Sequence, residues 1–307
     1  MKKVVPAVIF RMIARKAMKP VMSILILVML IAMAPSLVNT AITKISGSDI
    51  DVMYADLYTE ERVTAMMSED AAVSAAAGQE IMDGLAAFLR AKWPFLALTA
   101  AITLVMGPVL TLGFQHTLLK ALRKEEIAVS TVFDRMPQFF KAIGLILMIW
   151  LRMFLWMLPG TAAMLLGFLL SLYVPLAGML LMIAGMVLML VLTIRAAYRY
   201  RLATYVMADT PETGVNAAIR RSAEVMKGRK MELFSLEISF MGWRLLLSLA
   251  QMTILGAMGP VIGSTLSMFA SFFLSMYVYM AEAAFYQTYA VGPLNADGPD
   301  GTTQEMA

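Results

Sequence analysis

Residues 198–244 read YRYRLATYVMADTPETGVNAAIRRSAEVMKGRKMELFSLEISFMGWR. A basic amphipathic segment joins two long apolar runs here, and its charge orients the rest of the chain. Val215, Ala218, Ile219, Ser222, Val225 and Met226 recur at helical spacing, with Arg220, Arg221, Glu224 and Lys227 between them. Thr210-Pro211-Glu212 predicts the helix start, with a capping hydroxyl, proline in the first turn and an acid behind it. Gly228 predicts its end. Such a helix lies flat on a membrane surface, and Arg220, Arg221, Lys227, Arg229 and Lys230 face anionic lipid at about 1 kcal/mol per cation.

The flanking composition supports a membrane setting. Hydrophobic residues make up 60% of the 307 and charged residues 15%, whereas soluble domains are nearer half and a quarter. Mean hydropathy is +0.76. The apolar residues fall in runs of the roughly 20 residues that cross a bilayer. Working outward predicts six spans: 21–38, 93–117, 139–170, 176–200, 233–258 and 261–289. The fold class is therefore an all-α polytopic helical membrane bundle. We read 1–292 as one helical membrane domain. It comprises a basic interfacial helix at 1–20, an extracytoplasmic acidic loop at 44–92 and an amphipathic cytoplasmic helix at 210–230. A polar tail at 293–307 reads as disordered. Ala32-Met33-Ala34 resembles a signal-cleavage site, but Pro35 follows directly, so the first run is read as a retained anchor. Basic residues gather at the N-terminus, at 118–141 and at 195–232, and acids gather at 44–92. That distribution puts both termini inside. Gly107-Pro108 predicts a kink, and Pro159-Gly160 predicts a bend or a re-entrant turn. Thr131-x-x-Asp134 has the form of a capping box.

Several chemistries are disfavoured. There is no Cys and a single His, His116, so thiol catalysis and Cys- or His-rich metal sites have no residues to use. His116 at the inner end of a span reads as an interfacial residue rather than a proton relay. The 30 Met read as adaptable packing. No phosphate-binding glycine loop, metal motif or nucleophile elbow is present, so no enzyme, metal or cofactor is expected. The net charge of +4 follows membrane orientation rather than a nucleic-acid surface, and no nucleic-acid partner is expected.

Charges inside spans are the best site candidates, because a mid-bilayer Arg costs roughly 2.5–3.5 kcal/mol even on lenient scales. Arg152 lies about 13 residues into its span, roughly 20 Å deep. Together with Glu237, Arg244 and Glu282 it forms a predicted buried cluster, either an anion or gating site or a structural pairing that fixes helix register. Gly259, Gly263, Ser267, Ser271 and Ser275 recur every fourth residue, a spacing that lets helices approach closely; Ala163-x-x-x-Gly167 is a weaker version.

Several stretches together resemble one family. They are Tyr198-Arg199-Tyr200, Tyr205 to Pro211 (YVMADTP), and Ala218-Ile219 with Ser222 and Met226-Lys227-Gly228-x-Lys230. Phe234-x-Leu236 leading into Ser239-Phe240-Met241-Gly242-Trp243, and the closing AEAAFY at 281–286, belong with them. The pattern is similar to the bacterial "domain of unknown function 975" family of integral membrane proteins. That resemblance implies a multi-pass protein of the bacterial cytoplasmic membrane and implies no activity. Three functional readings stay open: an accessory or assembly subunit that binds a membrane-protein partner or a second copy of itself, a carrier or channel for a lipid or small solute, and, last, an intramembrane enzyme, for which no catalytic set is visible.

Overall fold

The computed structural model describes residues 6–68, 70–255, 257–258 and 260–292; Gly259 and the tail at 293–307 lie outside the described residues. Eleven α-helices appear among them: α1 Ala7–Met18, α2 Met22–Ser46, α3 Ile50–Leu57, α4 Glu60–Met66, α5 Ala71–Leu122, α6 Phe139–Ser171, α7 Pro175–Tyr200, α8 Ala203–Asp209, α9 Val215–Val225, α10 Lys230–Ala250 and α11 Pro260–Tyr286. Six helical stretches are long and apolar enough to cross a bilayer: Ala7–Leu57, Ala71–Leu122, Val129–Ser171, Pro175–Asp209, Lys230–Thr253 and Leu266–Val291. This is an all-α polytopic membrane architecture. Hydrocarbon offers backbone groups no partners, so helices that bond internally are the form such sequences take.

By contact the described residues form two compact units, one within 1–29 and 109–292 and one within 30–108. The smaller unit contains the acidic segment 44–92. Its residues fold as α3, α4 and the beginning of α5, which runs unbroken through Pro94 and Pro108. Asp49 and Thr59 side chains cap α3 and α4. Lys92 Nζ donates to the Ser46 carbonyl and Asn39 Nδ2 to Thr103 Oγ1, both at 2.5 Å, tying α2 to α5. Leu57 packs against Gly84, where a Cβ would meet its Cδ2 at 2.4 Å.

The larger unit refines the sequence reading in four places. First, the apolar face of α1 is occupied: Phe10, Ala14 and Met18 are buried, and α1 packs on α11 and α10. Second, α6 continues through Pro159 as one helix, which fits the bent-helix reading, and no re-entrant turn forms there. Third, Thr131 does not open α6. Its hydroxyl accepts from the Ala128 N–H at 3.0 Å in a separate 3₁₀ turn, and α6 begins at Phe139. Fourth, Thr210 ends α8 instead of starting α9, with its hydroxyl donating to the Val206 carbonyl at 2.8 Å; α9 starts after Gly214.

Along the expected stripe the described residues differ in burial. On α11, Gly263 and Ser267 are buried and Ser267 Oγ donates to Gln251 Oε1 at 3.0 Å, but Ser271 is exposed and Ser275 half-buried. A tight seam joins α6 to α7 and includes Gly167 of the weaker predicted motif. A Cβ on Gly160 would lie 2.4 Å from Met189 Cβ, on Gly167 2.6 Å from Met182 N, on Gly178 2.2 Å from Ser171 N and on Gly185 2.7 Å from Met164 N. With no side chain at these points the two backbones meet directly.

Candidate functional site: a charged junction around α8

α8 is the centre of the larger unit. Tyr205, Val206, Met207 and Ala208 are all buried, and polar groups from four other helices close on its ends. Ser222 of α9 ties the junction together: its hydroxyl donates to the Arg199 carbonyl at 3.0 Å and accepts from the Leu202 N–H at 3.2 Å. Both backbone groups belong to the α7–α8 turn, where helical bonding is interrupted and partners are otherwise missing. The amphipathic spacing read for α9 holds, with Ala218, Ile219, Ser222, Val225 and Met226 buried against this junction. Gly228 follows at φ +80°, the left-handed turn that lets α10 begin two residues later.

At the far end of α8, Asp209 takes an ion pair from Arg123 Nη2 at 2.7 Å and a hydrogen bond from the Tyr286 hydroxyl at 3.2 Å. Arg123 Nε also donates to Gln287 Oε1 at 2.9 Å. At the near end, Arg201 Nη2 lies 2.6 Å from Glu282 Oε1 and 3.5 Å from Glu237 Oε1. Tyr198 donates its hydroxyl to Glu237 as well. Glu282 is almost fully buried, and a carboxylate so placed needs a cation beside it.

Glu237, Arg244 and Glu282 therefore line one cleft of about 310 Å³, in company with Arg201 and Tyr198. Arg152 is not among them, which corrects the predicted four-residue cluster. It lies instead in a second cleft, of about 400 Å³, where Arg152 Nη2 donates to Asn216 Oδ1 at 2.9 Å. The physical reason lies in the side chains' reach across different seams. Arg152 leaves α6 toward α9, whereas Arg244 and Glu282 face each other across α10 and α11. Arg201, the cation that closes both ion pairs, lies outside the predicted cluster. Its place one residue beyond a span reads as an orientation marker. The available signal was its spacing of three from Tyr198, which puts both on one helix face toward α10.

His116 Nδ1 lies 2.9 Å from Arg135 Nη2 and its Nε2 3.9 Å from Asp134, so it helps to fix the 129–138 turn. Of the basic residues of α9 and its exit, Arg220 and Lys227 line the second cleft. Arg221 donates to the Ala290 carbonyl at 3.2 Å, Arg229 stacks 4.4 Å from the Tyr289 ring centroid, and Lys230 Nζ donates to the Arg195 carbonyl at 3.1 Å.

A multi-pass helical membrane protein with a charged junction at one end of its bundle is the class these features define. A family model described as "Protein of unknown function (DUF975)" matches residues 10–290, and the chain belongs to that family. No curated protein and no solved structure matches it. The motif residues that carry the resemblance, scattered over 198–286, meet at the α8 junction: Tyr198, Asp209, Ser222, Glu282 and Tyr286 all bond there.

Proposed function

We propose that this protein is a non-enzymatic accessory or assembly subunit of the bacterial cytoplasmic membrane. In this reading both termini are cytoplasmic, anionic inner-leaflet lipid surrounds α9, and the α6–α7 arm binds a partner membrane protein or a second copy of the chain. The observation that supports it is the arm's packing. The glycine seam closes α6 and α7 on each other, and within the larger unit their packing elsewhere is mainly against α8, α9 and the first turns of α10. Farther along, Leu165, Leu166, Leu169, Leu176, Leu180 and Ile183 all face outward. A rigid two-helix arm with an apolar exterior suits helix-to-helix docking in a bilayer. Photocrosslinking residues at Leu166 and Leu180, introduced in intact membranes, test this. The expected result is a protein adduct of discrete mass at both positions, lost when Gly178→Leu splays the arm; lipid-only adducts would defeat the reading.

A carrier for a lipid or small solute is the second reading. The cleft lined by Arg244 and Glu282 favours it, because Arg201 and Arg244 balance Glu237 and Glu282 there. Solute flux into proteoliposomes that Arg244→Ala abolishes, while the folded protein persists, would establish it.

A further inference from the structure

The second cleft lies between α6, α7 and α9 and gathers cations without matching acids. Arg152, Arg199, Arg220 and Lys227 line it against a single carboxylate, Glu224. Glu224 also sits 3.9 Å from Arg221 Nη1, which lies outside the cleft. The deepest cation in sequence terms, Arg152, is held by neutral groups: the Asn216 amide oxygen at 2.9 Å and the face of Tyr200, whose ring centroid is 6.0 Å away. Tyr200 is buried, and its hydroxyl accepts from Trp156 Nε1 at 3.2 Å, so the wall behind Arg152 is fixed. None of these contacts neutralises the guanidinium. Four like charges around one concavity repel each other, and that cost is removed when an anion sits among them.

We propose that this cleft binds a phosphate monoester, carried on a lipid or free in solution. A single carboxylate would leave most of the surrounding charge unbalanced. A phosphate monoester brings about −1.5 to −2 and oxygens that match guanidinium forks two at a time. Asn216 aims the Arg152 fork, and Arg220 and Lys227 close the cleft from α9. Ile219 and Ala223 supply its apolar floor. Beside Arg152, Leu151 and Leu155 face outward along α6, where acyl chains of a bound lipid would run. This site stands independently of what the α6–α7 arm docks.

The full-length protein in detergent is titrated with phosphatidic acid, with phosphatidylcholine, and separately with inorganic phosphate, and bound ligand is counted by native mass spectrometry. Wild type is expected to hold phosphatidic acid at least tenfold more tightly than phosphatidylcholine. Arg220→Gln with Lys227→Gln, both exposed, should weaken binding roughly tenfold to thirtyfold. Lys16→Gln with Lys19→Gln, both exposed, removes the same charge outside the cleft and should leave binding at the wild-type level. If the cleft pair does not yield folded protein, Arg220→Gln alone is measured, with a loss of about fivefold expected. Saturable binding of inorganic phosphate with the same variant pattern assigns the site to a soluble ligand and also supports the proposal. It is overturned if neither probe outcompetes phosphatidylcholine, or if the control pair loses as much binding as the cleft pair.

Discussion

Arg201 of the α7–α8 turn and Glu282 of α11, 81 residues apart, are joined at 2.6 Å, with Glu237 of α10 3.5 Å from the same guanidinium nitrogen. One cation thereby fixes three segments of the larger unit. The Glu282 side chain is 3% exposed and that of Arg201 45%, so the two partners are not equivalent. Removing the cation strands a buried carboxylate, whereas removing the carboxylate leaves a cation that can still reach solvent or Glu237.

The first prediction follows from that asymmetry. Arg201→Met should cost about 3 kcal/mol, the low end for a broken buried pair because Arg201 is partly exposed. Glu282→Gln should cost less. Arg201→Met combined with Glu282→Leu should recover much of the loss, since no charge is then left buried. Chemical unfolding in detergent reads all three. Equal losses for both single variants, without recovery in the double, would show that the pair does not set stability.

Ser222 supports a second prediction. Its hydroxyl bonds both the Arg199 carbonyl and the Leu202 N–H, and it is fully buried. Ser222→Ala leaves both backbone groups without that partner and should cost about 1–3 kcal/mol. Ser222→Thr, which keeps the hydroxyl, isolates the hydrogen bonds from the volume. Hydrogen exchange at Leu202 should quicken in the alanine variant, and an unchanged exchange rate would remove the capping role assigned to Ser222.

The glycines divide into two kinds, and a third prediction contrasts them. A Cβ at Gly178 would fall 2.2 Å from Ser171 N, so Gly178→Leu must push α6 and α7 apart at about 1–3 kcal/mol or more. A Cβ at Gly242, inside α10, meets nothing within 4 Å. Gly242→Ala should therefore stabilise the helix by about 0.5–1 kcal/mol through backbone entropy. Melting temperatures in one detergent should move in opposite directions.

Much of this architecture is legible in the sequence because hydrocarbon imposes a simple rule on it. The apolar runs give the helices, and the amphipathic spacing of Ala218, Ile219, Ser222 and Val225 gives the buried face of α9. What periodicity does not carry is which surfaces meet. Gly263 and Ser267 on α11 advertise close approach by their spacing of four, whereas the α6–α7 seam runs through Gly160, Gly167, Gly178 and Gly185, whose spacing of seven within each helix is less conspicuous. Arg152 and Arg244 look alike as span charges, but one faces Asn216 and the other shares a cleft with Glu282. α8 is hidden because its residues read as the tail of α7, and Arg201 reads as a boundary charge for the same reason. A turn buried inside a bundle leaves no mark in hydropathy.

The inferred orientation yields a last prediction, which native cysteines cannot confuse because the chain has none. Glu224 on α9 and Asp83 on α5 are both exposed. A positive-inside orientation predicts Glu224 in the cytoplasm and Asp83 outside. In intact cells a membrane-impermeant maleimide should label Asp83→Cys and spare Glu224→Cys, and permeabilisation should expose both. Labelling of Glu224→Cys in intact cells would reverse the topology and move the cationic cleft away from the inner leaflet. The phosphate-binding proposal would survive that outcome, since its cations and their geometry are unchanged, but its ligand would then come from the opposite side of the membrane.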